Sequence, residues 1–487
     1  MPLPLNKTGR EAGRLMILLL SYALVAMWSS PWLSGLGYDK EVFQYMGMAM
    51  AKGDIPYLDA FDHKPPIIFL VNRLGYLLTP GSIWGVFAVL HLIGAAAALY
   101  FYRLSRQMLA SPWLAMAITM VYIGMSNHPD LLLGGNLTRQ LAAFFVVFIS
   151  YLIFARPDSA QRGMRIGILC GLLFFTQQNE LLAAGVLVGT WAIFADQAWK
   201  IRSIQEIMRR MGWLMAGVAI PVMLMGLLIL WWGNEAEFFE QAFLFNLNSY
   251  LEESPFYVRL WQTLKQALSL SRTVWLLPSL VVAILFNLWR KKSIDIRIIA
   301  VCLALLVQVV STSLSGRAFE HYYLMFIPYL CLLWMFSLDS ASWRYEKAAP
   351  VLVGVLLLCQ LALSYGPLRQ KQVHDAEIMA TLTEAISSER NRPGQFYSFD
   401  PTYLRVNVQL GIVSPSRWIY VHFTNTAYDP DGAIIREVAD DLLRAKTRFV
   451  LIGQQRIPEY PEVAALLGRD YESKMVLDGM ELFERKE

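Results

Sequence analysis

Long apolar runs separated by short polar connections occupy most of this chain. The first, from Leu15 to about Leu33, follows Lys7, Arg10 and Arg14 and carries no small-residue cleavage pattern, so it reads as a retained signal anchor. Further runs fall at 82–102, 112–126, 137–155, 164–177, 180–197, 211–232, 273–289, 297–314, 321–338 and 348–366. Since a span takes roughly 20 apolar residues, the pattern predicts a polytopic α-helical membrane protein of about eleven transmembrane helices. The stretch 164–197 is one apolar run broken by Gln177, Gln178, Asn179 and Glu180, which predicts a helical hairpin with its polar tip at the far surface.

Charge fixes the orientation of these runs. With the N-terminus in the cytoplasm, the inner loops carry Arg103 and Arg106; Arg156, Arg162 and Arg165; Lys200, Arg202, Arg209 and Arg210; Arg290, Lys291, Lys292 and Arg297; then Arg344 and Lys347. The short outer loops are poor in Lys and Arg, the positive-inside pattern. The expected location is the bacterial inner membrane, multi-pass, with an extracytoplasmic C-terminus.

Two outer loops are long, at about 33–79 and 233–270, and contain the amphipathic stretches Val42 to Ala51 and Glu237 to Tyr250. Such stretches lie in the membrane interface or close as lids over a cavity. Beyond the last apolar run the pattern changes. FYSFD at 396–400, RWIYVH at 417–422 and RFVLIG at 448–453 read as strands, Gly432 to Lys446 as a helix, and 471–485 as a hairpin turning at Asp478-Gly479. The predicted domains are therefore a transmembrane domain over 1–366 and a soluble extracytoplasmic α/β domain over 367–487.

Composition agrees with the membrane class, at 56% hydrophobic and 16% charged residues with mean hydropathy +0.41. A net charge of +4 over 487 residues leaves no broad electrostatic footprint for nucleic acid. Cys170, Cys302, Cys331 and Cys359 lie in apolar segments with neither metal nor disulfide spacing, and read as small hydrophobes. His91 falls inside a span and reads as a hydrogen-bonded packing residue, while His374 and His422 lie in the soluble part. The sequon Asn136-Leu137-Thr138 abuts a span and is discounted.

Candidate chemistry concentrates on the outer side. Gly37 to Pro66 carries Asp39, Glu41, Asp54, Asp59 and Asp62 with His63 and Lys64, and Lys64-Pro65-Pro66 holds the lysine at an extended bend. Ser315 to Pro328 places Arg317, Glu320, His321, Tyr322 and Tyr323 at the outer start of a span, where ionisable groups either mark function or snorkel toward headgroups and tyrosines also form an aromatic belt. Asn127, His128, Asp130, Asn136, Arg139 and the hairpin tip share that side. A carboxylate can take a proton from an attacking hydroxyl, and Lys or Arg can meet a departing phosphate.

Three blocks carry a family resemblance: Asp39 in the first outer loop, GDIPYLDAFDHKPP at 53–66, and GRAFEHYYLMFIP at 316–328. Together they resemble bacterial GT-C glycosyltransferases of the protein O-mannosyltransferase and aminoarabinose transferase branch, over roughly 1–366. The resemblance implies a GT-C-like catalytic domain and an inverting transfer of a sugar from a polyprenyl-phosphate donor to a lipid, polysaccharide or protein acceptor among membrane lipids. It implies Asp39 as the base with Glu41 as a second acid, Lys64, Arg317 and His321 as donor-phosphate contacts, and Tyr57, Asp62, His63, Gln178, Glu180, Tyr322 and Tyr323 as candidate substrate contacts. No cofactor is required, and a divalent metal is neither demanded nor indicated. Lys40 stands where many relatives continue an acidic pair, Arg139 where they carry Glu after Thr, and Gln177-Gln178 where they carry Lys. Two competing readings are a glycan ligase or polymerase using a diphosphate-linked donor, and a transporter of a lipid-linked sugar.

Overall fold

The structure is a computed structural model that describes residues 5–155, 159–194, 200–248, 254–270, 295–338, 346–421, 429 and 431–487. Among the described residues seven helices are long and apolar enough to cross a membrane: Gly9–Ser29, Trp84–Met108, Thr138–Ala155, Ile204–Trp232, Ile296–Ser313, Glu320–Leu338 and Ala349–Glu389. The runs at 112–126, 164–177 and 180–197 form the shorter helices Pro112–Ser126, Ala160–Phe174 and Leu181–Ile193. The expected span at 273–289 lies outside the described residues. Exposed Met215, Val222, Met223 and Leu224 on one helix, and Leu352, Val355, Leu356 and Leu363 on another, form apolar surfaces that suit lipid rather than water. The chain is a multi-pass membrane protein.

The chain divides into two compact units. One is made of Met1–Ser29, Leu90–Leu227 and Glu252–Gly366. In it, helix Ile296–Ser313 packs on both Leu181–Ile193 and Phe326–Leu338. Ala160–Phe174 meets Ile204–Trp232 where Gly167 and Gly217 oppose each other: a Cβ on Gly167 would fall 2.0 Å from the Leu214 carbonyl oxygen, and one on Gly217 2.1 Å from that of Met164. Small residues permit such close backbone approach between membrane helices. His91 takes the packing role, with Nδ1 3.0 Å from the Tyr22 hydroxyl and Nε2 2.8 Å from Ser29 Oγ. The cysteines are all free: Cys170 and Cys331 are buried, Cys302 half-buried and Cys359 exposed on its apolar helix.

The other unit is made of Ser30–Val89, Leu228–Leu251 and Pro367–Glu487. Its sheet has the order β1-β2-β4-β3, with β1 (Phe396–Ser398), β2 (Phe449–Gly453), β3 (Tyr471–Leu477) and β4 (Met480–Arg485). β1 and β2 are parallel, and the other pairs antiparallel. The hairpin turns at Asp478 and Gly479, both at positive φ, as a type I′ turn requires. Helix Ala433–Arg444 forms within the expected span, its first N–H groups capped by Asp429 Oδ1, 2.7 Å from the Ala433 nitrogen. The core joins Phe396, Phe449, Leu451 and Leu482 of the sheet to Ile378, Leu382 and Ile386, and to Leu36 of the first loop.

Two sequence expectations are corrected. RWIYVH is not a strand over its described residues Arg417–Val421: Phe61 donates its N–H to the Arg417 carbonyl and the Tyr397 hydroxyl to that of Trp418, so the segment is buried by ring packing without a ladder. A short apolar run cannot be told from a buried irregular segment by periodicity. Val42 to Ala51 belongs to helix Tyr38–Lys52, which is buried on nearly every side from Lys40 to Met50 and so does not float in a membrane interface. Gly47 lets it approach helix Ile67–Leu78, since a Cβ there would lie 2.5 Å from the Asn72 carbonyl carbon. The last apolar run is part of a longer helix that continues from Ala349 to Ile386 through Pro367. Glu237 to Tyr250 is helical over Glu235–Phe239 and Phe245–Asn248 around a π-turn, Glu240–Leu244; its last residues lie outside those described.

Candidate functional site

Asp39 and Glu41 sit in the first turn of helix Tyr38–Lys52, behind the extended Gly37, where the positive end of the helix dipole favours carboxylates. Their surroundings differ. Glu41 is fully buried and bidentate with Arg405, whose Nε lies 3.1 Å from Oε2 and whose Nη2 bonds Oε1. Asp39 is half-buried. Between them, Lys40 is buried and donates to Ser34 Oγ at 2.5 Å and to the Gly35 carbonyl. Burial, and then the Arg405 charge, bring its ammonium down to about 7. Arg405 and Asp375 also hold the strand of chain before the helix, the latter accepting from the Leu36 N–H at 2.6 Å.

The loop at 53–66 is fastened by its own groups and by three side-chain amides of the second outer loop. Asn234 donates to the Pro56 carbonyl at 2.6 Å, Gln241 to that of Tyr57 at 2.6 Å, and Asn246 to that of His63 at 2.8 Å. Tyr57, buried and at φ 71, donates its hydroxyl to the Lys64 carbonyl at 2.7 Å. A non-glycine residue in that region persists only where its surroundings over-determine it. Asp62 Oδ1 accepts the Lys64 N–H at 2.8 Å, and the His63 ring lies 5.3 Å from that of Phe245. Burial pushes the Asp62 carboxyl up to about 7; the Lys64 charge opposes this and the Asp39 charge adds to it. Asp62 therefore feels the charges of both Lys64 and Asp39. Asp54 also rises, to about 6, through burial and then Asp59.

The membrane-helix unit holds the remaining candidates. Glu180 is fully buried in a network: Arg139 Nε lies 3.0 Å from Oε1, Gln308 Nε2 2.7 Å from Oε2, and the Arg139 guanidinium stacks 3.3 Å from the Tyr322 ring centroid. Thr138 donates to Gln177 Oε1 at 2.8 Å, Gln177 to Asn179 Oδ1 at 2.8 Å, and Asn179 to Ser311 Oγ at 3.0 Å. The hairpin tip is thus packed into protein, with only Gln178 and Asn179 half-exposed. Arg139 and Gln177, two of the positions that depart from the family pattern, are both engaged here. Tyr323 is buried and donates to the Thr263 carbonyl at 2.5 Å. His321 stacks on Phe319 with ring centroids 5.7 Å apart. Arg317 lines an open groove of about 600 Å³ with Gln262, Lys265, Gln266, Ser269 and Phe319.

Of the twelve candidates, then, Asp39, Glu41, Tyr57, Asp62, His63 and Lys64 fall in one unit, and Gln178, Glu180, Arg317, His321, Tyr322 and Tyr323 in the other. The sequence did not reveal Arg405, Asp400 or Arg456. Arg405 pairs with Glu41, and Asp400 and Arg456 both bear on the hydroxyl of Tyr38. Nothing local marks them beyond their places at strand and helix ends.

A bundle of membrane helices with a small mixed α/β module and long charged loops defines a polytopic membrane protein of GT-C-like fold. No protein-family model and no curated sequence matches the chain. Among solved structures it resembles ArnT from Cupriavidus metallidurans, an aminoarabinose transferase of the GT-C fold, in two crystal structures: bound to undecaprenyl phosphate, at 14% identity, and apo, at 13%. Each alignment has a TM-score of 0.59 and covers 97% of this chain and 98% of the other. The likeness establishes the fold over nearly the whole length and agrees with the branch that the sequence blocks resemble.

Proposed function

We propose that this protein is a membrane glycosyltransferase that moves a sugar from a polyprenyl-phosphate donor to a hydroxyl of a lipid, glycan or protein acceptor. The observation that carries the reading is that Asp62 and Lys64 share a loop fixed from within and by Asn234, Gln241 and Asn246, with the charge of Asp39 on the preceding helix reaching Asp62. The ArnT-like fold supports it, and so does the undecaprenyl phosphate bound by that relative.

In the proposed step Asp39 accepts the acceptor hydroxyl's proton while the oxygen bonds the anomeric carbon from the face opposite the leaving group. The bond from that carbon to the phosphate oxygen breaks, and its electron pair leaves with the polyprenyl phosphate. Lys64 stabilises that phosphate. Arg317 and His321 are assigned to the donor from the sequence block, and the cationic groove containing Arg317 and Lys265 suits an anionic headgroup. No cofactor enters the step. Glu41, held by Arg405, acts as a positioning residue rather than as a second acid. The site is proposed to face away from the cytoplasm at the bacterial inner membrane, as the basic inner loops indicate.

Asp39→Asn keeps the shape but cannot take the proton. It is expected to lose transfer by at least about a hundredfold, within the usual reach of a general base, while binding of the lipid donor survives. Lys64→Ala and Arg317→Ala are expected to weaken donor binding. Normal turnover by Asp39→Asn would remove its role.

A further inference from the structure

The loops that follow β1 and β2 contain charge that the proposed reaction has not yet used. In open α/β sheets, ligands bind outside the carboxyl ends of parallel strands. Here the parallel pair is β1 and β2. The first loop carries Asp400, whose Oδ1 accepts the Thr402 N–H at 2.9 Å and so is fixed in place. The second carries the exposed Arg456, whose Nη1 lies 3.4 Å from the Tyr460 hydroxyl. Phe399 stacks on Tyr460 with centroids 5.7 Å apart, so the two loops touch.

These loops meet the helix that bears the base. The turn Pro401–Tyr403, next to Asp400, packs against helix Tyr38–Lys52, and Arg405 beyond it grips Glu41. Tyr38, immediately before Asp39, is 39% exposed and lies edge-on to Tyr420 at 6.2 Å. Atoms crowded about its hydroxyl raise its ionisation well above the usual range; Asp39, Asp400 and Asp62 add to this, and Arg456 opposes it. An exposed aromatic ring beside Asp39 thus neighbours a fixed carboxylate and an arginine on the adjoining loops. That set matches a saccharide: the ring covers its C–H face, the carboxylate accepts from hydroxyls, and the guanidinium donates to hydroxyl oxygens or to a carboxylate on the sugar.

We propose that Tyr38, Asp400 and Arg456, beyond the carboxyl ends of β1 and β2, form a saccharide site that presents the acceptor hydroxyl to Asp39. The assignment as acceptor site rests on the reading of Asp39 as base. The saccharide site itself does not.

The test uses the full-length protein in nanodiscs and saturation-transfer NMR with three probes: the methyl glycosides of glucose, N-acetylglucosamine and glucuronic acid. The wild type and Asp39→Asn are expected to transfer saturation to the ring protons of at least one probe. Asp400→Asn and Arg456→Met, both conservative at positions that are half-buried or exposed, are expected to reduce that signal at least fivefold. No signal in the wild type, or an unchanged signal in both variants, overturns the site. Loss of the signal in those variants alongside full turnover by Asp39→Asn keeps the saccharide site and overturns only its link to the base.

Discussion

At the residue scale the two first-turn carboxylates of helix Tyr38–Lys52 have opposite fates. Glu41 is spent on Arg405, and removing that partner leaves a buried, unpaired charge. Arg405→Met is therefore expected to cost about 3–5 kcal/mol in a thermal or denaturant melt, with part recovered in the double variant with Glu41→Gln. An equal melt for wild type and Arg405→Met would show the pair to be idle. Asp62 supplies a pH dependence. Its carboxyl is raised from 3.8 to about 7, so the folded protein holds that proton more tightly than the unfolded chain. The stability it contributes is complete below the unfolded value and is lost as pH rises through about 7. Melting temperature is expected to fall more steeply from pH 5 to pH 8 in the wild type than in Asp62→Asn; parallel slopes would contradict it. Residues such as Asp39, Lys64 and Asp62 were legible because they all fall between the first apolar run and the next. Arg405 was not, since 364 residues separate it from Glu41.

Among the elements, those whose chemistry is local matched the sequence best. The hairpin at Asp478-Gly479 was readable because positive φ at both positions selects such residues. Helix Tyr38–Lys52 was misjudged because its polar residues are buried rather than turned to water, Gln44 within the protein, Lys40 against Ser34 and Gly35, and Glu41 against the distant Arg405, so that polar spacing imitates an amphipathic face. The stitching of one outer loop by Asn234, Gln241 and Asn246 of another left no signal in spacing. Close helix packing is equally silent, although it is testable. Gly167→Ala and Gly217→Ala each push a methyl into a facing carbonyl. Each is expected to destabilise the solubilised protein by about 1–3 kcal/mol in unfolding measurements; no change in either would mean that the helices do not cross there.

Across the whole molecule, apolar runs and basic loops identified a membrane protein, and the fold shared with ArnT agrees over 97% of the chain. The compact unit that contains the sheet draws on both long outer loops as well as on the C-terminal part, so the proposed base is carried by the same body as Asp400, Arg405 and Arg456. The central claim is transfer from a monophosphate-linked donor, and the lipid product tests it most directly. Mass spectrometry of the lipids left after incubating the purified protein with a polyprenyl-phosphate sugar and a cell-envelope acceptor extract should show free polyprenyl monophosphate in step with glycosylated product, and neither with Asp39→Asn. Release of a polyprenyl diphosphate from a diphosphate-linked donor, or disappearance of neither lipid, would contradict it.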